Sequence, residues 1–154
     1  MSDQFVKHAT FSLERDYDAP ASEVFRAFSD PEMKARWFSG PEGVWQRDSA
    51  EMDFREGGRE HSEGHMVDGT MTTRFDATYH EIVDGERIVY DYEMHVNGAR
   101  VSISLASIEL DPTQIGTHLT ITEQGVYYDE GDSDASREEG TRLLLERIGS
   151  LFGS

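Results

Sequence analysis

From about Val44 to Gln124 the chain alternates apolar and polar residues with a period of two. Only turn signals interrupt it, at Glu56–Gly58, Asp68–Gly69, Asp84–Gly85, Asn97–Gly98 and Asp111–Pro112. A period of two sends successive side chains to opposite faces, so each segment reads as a strand with one apolar face. Turns this short join neighbouring strands antiparallel. The spacing predicts six strands here, with apolar sets Ala50, Met52 and Phe54; Met71, Thr73, Phe75, Ala77 and Tyr79; Ile88, Tyr90, Tyr92, Met94 and Val96; Val101, Ile103 and Leu105; and Leu119 with Ile121. Ile108 and Leu110 fall on the opposite parity from Leu105, which predicts a bulge near Ala106–Ser107 that bends the sheet.

Ahead of this run, Phe11, Leu13, Arg15 and Tyr17 share one parity and mark a further strand. Two short helices follow it. Pro20 suits a first helical turn, and Val24, Phe25 and Phe28 form one apolar stripe. Asp30 then reads as an N-cap with Pro31 next to it, opening a helix that carries Met33 and Trp37 on one face. Met33 and Trp37 lie one turn apart and should pack inward under the end of the sheet, while Phe38, ~100° round the helix, faces the rim. After an acidic stretch, a final helix capped by Ser133 or Asp134 gathers Thr141, Leu144, Leu145, Ile148, Leu151 and Phe152 on one stripe. At ~1.5 Å per residue its ~18 residues reach ~27 Å, about the length of the strands.

These elements predict an α+β fold, a curved antiparallel sheet of about seven strands wrapped round a long C-terminal helix, with the two short helices between strands 1 and 2 closing one end. A helix laid over a concave sheet leaves a hollow, so the expected site is a cavity between them. Trp37 and Phe38 would bound it at the closed end; Met52, Phe54, Phe75 and Ile103 would line the sheet side, and Leu144 with Ile148 the helix side. Tyr79, Tyr90 and Tyr92 belong to the same apolar parity, and a buried phenol needs a partner or a wet cavity. They suit either an amphipathic pocket or an ordinary core with backbone partners. Arg15 and Glu123 also share parity with apolar neighbours, so each is either paired inside or reaches water from a strand end. A Glu123 buried without a cation would titrate high, as a general acid or base requires.

The run "HSEGH" sets His61, Glu63 and His65 on one side of a strand, where they could share a metal. Residues two apart on a strand lie ~6.5 Å apart, too far to converge on one ion without a tight bend. A polar, solvent-facing strand is the simpler reading, and no metal or cofactor is expected. His8, His80, His95 and His118 fall opposite their strands' apolar sets and are expected on the outer face. No nucleophile elbow, P-loop or dinucleotide fingerprint occurs.

With 154 residues and 17.4 kDa the chain is expected to form one domain over residues 1–154. It has no cysteine, which removes disulfides, Cys-ligated zinc and thiol catalysis. A net charge of −17 repels phosphate backbones and anionic membranes, so neither nucleic acid nor membrane is an expected partner. The acidity serves solubility or a basic protein partner. The charged N-terminal segment lacks the apolar block of a secretory signal and no apolar run approaches membrane-spanning length, so a cytoplasmic protein is expected.

Taken in order, "ERDYDAPASEVFRAFSDPEMKARWFSGPEG", "MDFREGG", "ATYHEIVDGERIVYDY", "GTHLTITEQ" and "EEGTRLLLERI" resemble the START-like helix-grip (SRPBCC) superfamily. The branch they resemble is that of the C-terminal domain of activators of the heat-shock protein 90 ATPase. The similarity spans about residues 8 to 152. It implies a helix-grip fold and a cavity for small apolar molecules such as lipids, hormones or aromatic polyketides. It brings no shared catalytic residues. Glu60, Ser62 and Gly64 depart from it, standing where relatives often carry aromatic residues, so that part of the sheet should be unusually polar or frayed. The separate N-terminal domain of the eukaryotic chaperone activators is also missing, which weakens a co-chaperone role.

The leading expectation is a non-enzymatic binder of a small hydrophobic or aromatic molecule. One alternative is a cyclase- or aromatase-like enzyme using the same cavity, and another is a chaperone-associated interaction module.

Overall fold

The computed structural model describes residues 6–40, 43–128 and 134–152. Its elements are β1 (Lys7–Tyr17), α1 (Ala21–Ser29), α2 (Pro31–Trp37), β2 (Trp45–Met52), β3 (Arg59–Met66), β4 (Thr72–Val83), β5 (Arg87–Val96), β6 (Ala99–Pro112), β7 (Thr117–Tyr127) and α3 (Asp134–Leu151). The strands form one seven-stranded antiparallel sheet in the order β1-β7-β6-β5-β4-β3-β2. β2 to β7 are a meander of sequential neighbours, and β1 adds to its far side. Consecutive strands β1 and β2 therefore occupy opposite edges. α1 and α2 must carry the chain from one edge to the other, and so they close one end of the concave face. This is the helix-grip fold.

Local chemistry starts and stops the short helices. Pro20 occupies the N-cap of α1, just outside the first turn, and α1 buries Val24, Phe25, Ala27 and Phe28. The Asp30 carboxylate accepts the Glu32 amide at 2.9 Å, with Pro31 at the first helical position, where no amide proton is needed. Trp37 is buried, its indole N–H donating to the Ala27 carbonyl at 2.7 Å, which locks α2 onto α1. Ser133 and most of the acidic stretch before α3 lie outside the described residues.

α3 packs along β1 and touches α2. The Tyr17 hydroxyl donates to the Leu145 carbonyl at 2.7 Å, Arg15 meets Glu146 at 3.0 Å, and Lys7 meets Asp134 at 2.7 Å. Arg15 thus points to the helix side of the sheet and ends in a half-exposed pair. Under α3 the rows of the sheet read across strands as Ile88, Ile108, Ile121 and Leu13, a continuous apolar floor for Leu145 and Ile148.

Strand β6 differs from the sequence expectation. Its extra residue is Val101: Met94 pairs with Ser102 but His95 with Arg100, while the register runs unbroken through Ala106 and Ser107. From Ser102 onward the even positions face inward. Ile103 lies between Glu93 and Val126 on the outer face, and Leu105 is 46% exposed beside it. Ile103 is therefore not a cavity residue. Among the described residues no helix is long and apolar enough to cross a membrane.

This face assignment separates two isoleucines of one strand. Ile108→Thr, at a buried site in the apolar floor, should lower unfolding free energy by about 2 kcal/mol. Ile103→Thr keeps a β-branched side chain on the outer face and should cost less than about 1 kcal/mol. Urea unfolding of both variants checks the order, and equal losses would contradict it.

Candidate functional site

Between α3 and the sheet lies a cavity of about 410 Å³. Trp37, Phe38 and Phe54 bound it near the closed end, with Phe75, Tyr79, Tyr90, Tyr92 and Glu123 on the sheet wall and Leu144 and Ile148 on the helix wall. Met52 stands outside it, on a neighbouring recess of about 70 Å³ that shares Lys34, Phe38 and Ser62 with the main cavity. Half-exposed Leu143 and the side chains of Trp45, Met66 and Met71 surround the opposite end.

An aromatic ladder lines the wall. Ring centroids are 4.8 Å apart for Phe38 and Phe75, 5.1 Å for Phe75 and Tyr92, 5.9 Å for Tyr92 and Tyr90, and 6.2 Å for Tyr90 and Tyr79. Most pairs are tilted or edge-on, the favoured arrangements for quadrupolar rings. Register makes the ladder: Tyr79 faces Tyr90 across β4 and β5, and Tyr92 faces Ala77 in the next row.

Two polar clusters are set into this apolar wall. In one, Glu60 is buried and accepts from both the Tyr79 hydroxyl and the Lys34 ammonium, each at 2.5 Å. Lys34 also lies 4.9 Å from the centre of the Phe38 ring. In the other, the Tyr92 hydroxyl donates to buried Glu123 at 2.5 Å and accepts from Arg137 at 2.9 Å, while Arg137 also donates to Ser102 at 2.8 Å. The Arg137 guanidinium lies 5.5 Å from the Tyr92 ring centre and 5.6 Å from that of Tyr127. Tyr79 and Tyr92 thus bond carboxylates rather than backbone. Burial first, and the adjacent carboxylates next, push Tyr79, Tyr90 and Tyr92 well above the ordinary phenol range. All three keep their protons, and Tyr79 and Tyr92 donate theirs to the carboxylates.

Glu60, Ser62 and Gly64, the polar departure noted in the sequence, form a regular strand. Glu60 has its cation, and Gly64 lets the Trp45 ring lie flat on the backbone: a Cβ there would stand 1.9 Å from that ring. Trp45 thus supplies the aromatic surface that β3 itself lacks. His61 and Glu63 pair with each other at 3.2 Å on the outer side, and His61 also meets Asp76 at 2.6 Å, which raises the pKa of its imidazole. His65 turns instead to Asp48 at 2.8 Å. Among the described residues no group of three or more metal-ligating side chains is placed to hold an ion.

Lys34, Arg137 and Arg147 are cavity cations that sequence reasoning misses, yet the first two carry a signal. Lys34 precedes Trp37 and Phe38 by three and four residues. Arg137 precedes Thr141 by four and Leu144 by seven, on the same helical stripe.

The profile of the family described as "Activator of Hsp90 ATPase homolog 1-like protein" matches residues 18–153. The chain belongs to this family. An uncharacterized protein of Rhizobium leguminosarum superposes on this member with a TM-score of 0.91 at 35% identity, covering 99% of each chain. A Rhizobium loti protein gives 0.85 at 40% identity over 95% of this chain and 98% of its own. An AHSA1-like protein of Aeromonas hydrophila, 18% identical, shares the fold with a TM-score of 0.69 over 92% and 90% of the two chains. No curated protein matches the sequence. Family membership brings the helix-grip architecture, and the cavity's chemistry has to be read from this member's own residues.

The Lys34–Glu60 pair gives the first test of that chemistry. Lys34→Met leaves a buried carboxylate uncompensated and should destabilise the fold on the order of 3 kcal/mol. Adding Glu60→Gln to that variant removes the orphaned charge and should restore part of the loss. Simple additivity in urea unfolding would show that the two side chains do not act as a pair.

Proposed function

We propose that this protein binds a small, largely apolar and aromatic molecule between α3 and the sheet. The observation that supports the reading is the cavity of about 410 Å³, walled by a ladder of aromatic rings. That volume is within the ~300–1,000 Å³ typical of small-molecule sites, and apolar walls with a few fixed polar groups are their usual composition. Half-exposed Leu143 and flexible Met66 and Met71 at one end give a mouth that adapts to an incoming ring. The reading requires only complementarity of shape and polarity, without a chemical step.

A second reading, a cyclase- or aromatase-like reaction, draws on the polar groups that meet inside the cavity: Tyr92 and Glu123 at 2.5 Å, with Arg137 on the same hydroxyl. It is weaker, because Tyr92 is already bonded on both sides and its raised pKa makes it a poor proton source.

Native mass spectrometry of protein purified from its own host tests the first reading. A non-covalent adduct should appear and be released on denaturation. Leu144→Trp, which fills the helix wall of the cavity, should keep the fold and lose the adduct. An adduct retained by this variant, or a wild-type protein that is empty and takes up no added naphthalene, would overturn the assignment.

A further inference from the structure

The three tyrosines of the wall are not equivalent. Tyr79 and Tyr92 each donate to a carboxylate at 2.5 Å, whereas among the described residues the Tyr90 hydroxyl makes no hydrogen bond. Tyr90 stands between the other two rings and lines the cavity. Its row continues through Ala106 on β6 to Glu123 on β7, so the next position along the wall carries only a methyl group. Tyr90 is only half-buried, and its unpaired hydroxyl is open to the cavity rather than sealed in the core. Its flanking rings, anchored by Glu60 and Glu123, hold it in place.

We propose that the cavity's occupant is a neutral aromatic molecule whose hydroxyl or carbonyl oxygen accepts a hydrogen bond from Tyr90. This rests on the binding reading above and names the polarity of the ligand. Tyr90 serves as the donor because burial and then the Glu123 charge keep its proton in place. Neutrality follows from the charges on the wall. Lys34 is engaged by Glu60, Arg137 by Tyr92 and Ser102, and Arg147 by the Ser39 carbonyl. Hydrogen bonds to neutral groups leave Arg137 and Arg147 charged, but an acidic group seated on the Tyr90 hydroxyl would meet the carboxylates of Glu123, in the same row, and Glu60, so its charged form would be disfavoured there.

Fluorescence titration of wild type and Tyr90→Phe with naphthalene, 2-naphthol and 2-naphthoate separates the contributions. Wild type should bind 2-naphthol about three- to tenfold more tightly than naphthalene, the range for one added hydrogen bond, and 2-naphthoate more weakly than 2-naphthol. Tyr90→Phe should erase the 2-naphthol advantage, so that the variant binds 2-naphthol and naphthalene alike. The substitution breaks no bond among the described residues, so its thermal midpoint should match wild type. If naphthalene binds but 2-naphthol gains nothing, or its gain survives in Tyr90→Phe, or 2-naphthoate binds most tightly, this inference fails and the cavity reading stands. If none of the three binds, both fail.

Discussion

The hydrogen bond from the Tyr17 hydroxyl to the Leu145 carbonyl fixes where α3 lies, and the hollow follows from it. Arg15 with Glu146 and Lys7 with Asp134 extend the same seam, so the helix runs along β1 rather than over the middle of the sheet. A helix is about 10–12 Å across with its side chains. Seven strands at ~4.8 Å spacing present roughly 29 Å of width, so one helix covers less than half. α1 and α2 fill one end, and the Arg147 bridge to the Ser39 carbonyl ties α3 to the segment beyond α2. What remains uncovered between these supports is the cavity.

Beside the cavity the central strands carry small residues. Ser102, Ser104, Ala106 and Gly125 are buried on the inner face, where a Cβ on Gly125 would stand 2.9 Å from the Tyr127 ring and 3.0 Å from the Ser104 hydroxyl. Small side chains also admit long polar ones from elsewhere. Arg137 reaches from α3 down to Ser102, and Lys34 from α2 to Glu60. Each buried carboxylate is thereby bonded to a phenol, and the phenols stay protonated beside them. The interior is polar at set points, although the chain as a whole carries −17.

The fold was legible because alternation and turn chemistry agreed along most of the sheet. Where they misled, the reason is specific. Val101, Ile103 and Leu105 look like an inward set, but the extra residue at Val101 moves the inward face of β6 to Ser102, Ser104 and Ala106, so Ile103 and Leu105 turn outward. The opposite parity of Ile108 was the true signal, and the extra residue sits at Val101, seven positions before it. Met52 does share a face with its partner Glu60, but near the sheet edge on β2 it lines the neighbouring recess instead of the main cavity. Lys34 and Arg137 escape a parity argument because each is a charge set on an otherwise apolar helical stripe, whereas Glu60 stands out as a polar departure but without its partners.

The central claim is that a ligand enters between α3 and the sheet, and methyl NMR tests it by location. With methyl-labelled isoleucine and leucine, a naphthalene titration should shift Ile88, Ile121, Leu144 and Ile148, which border the cavity, and leave Ile103 and Leu105 on the outer face unmoved. Shifts centred on Ile103 and Leu105, or none at the cavity methyls under saturating naphthalene, would contradict the account.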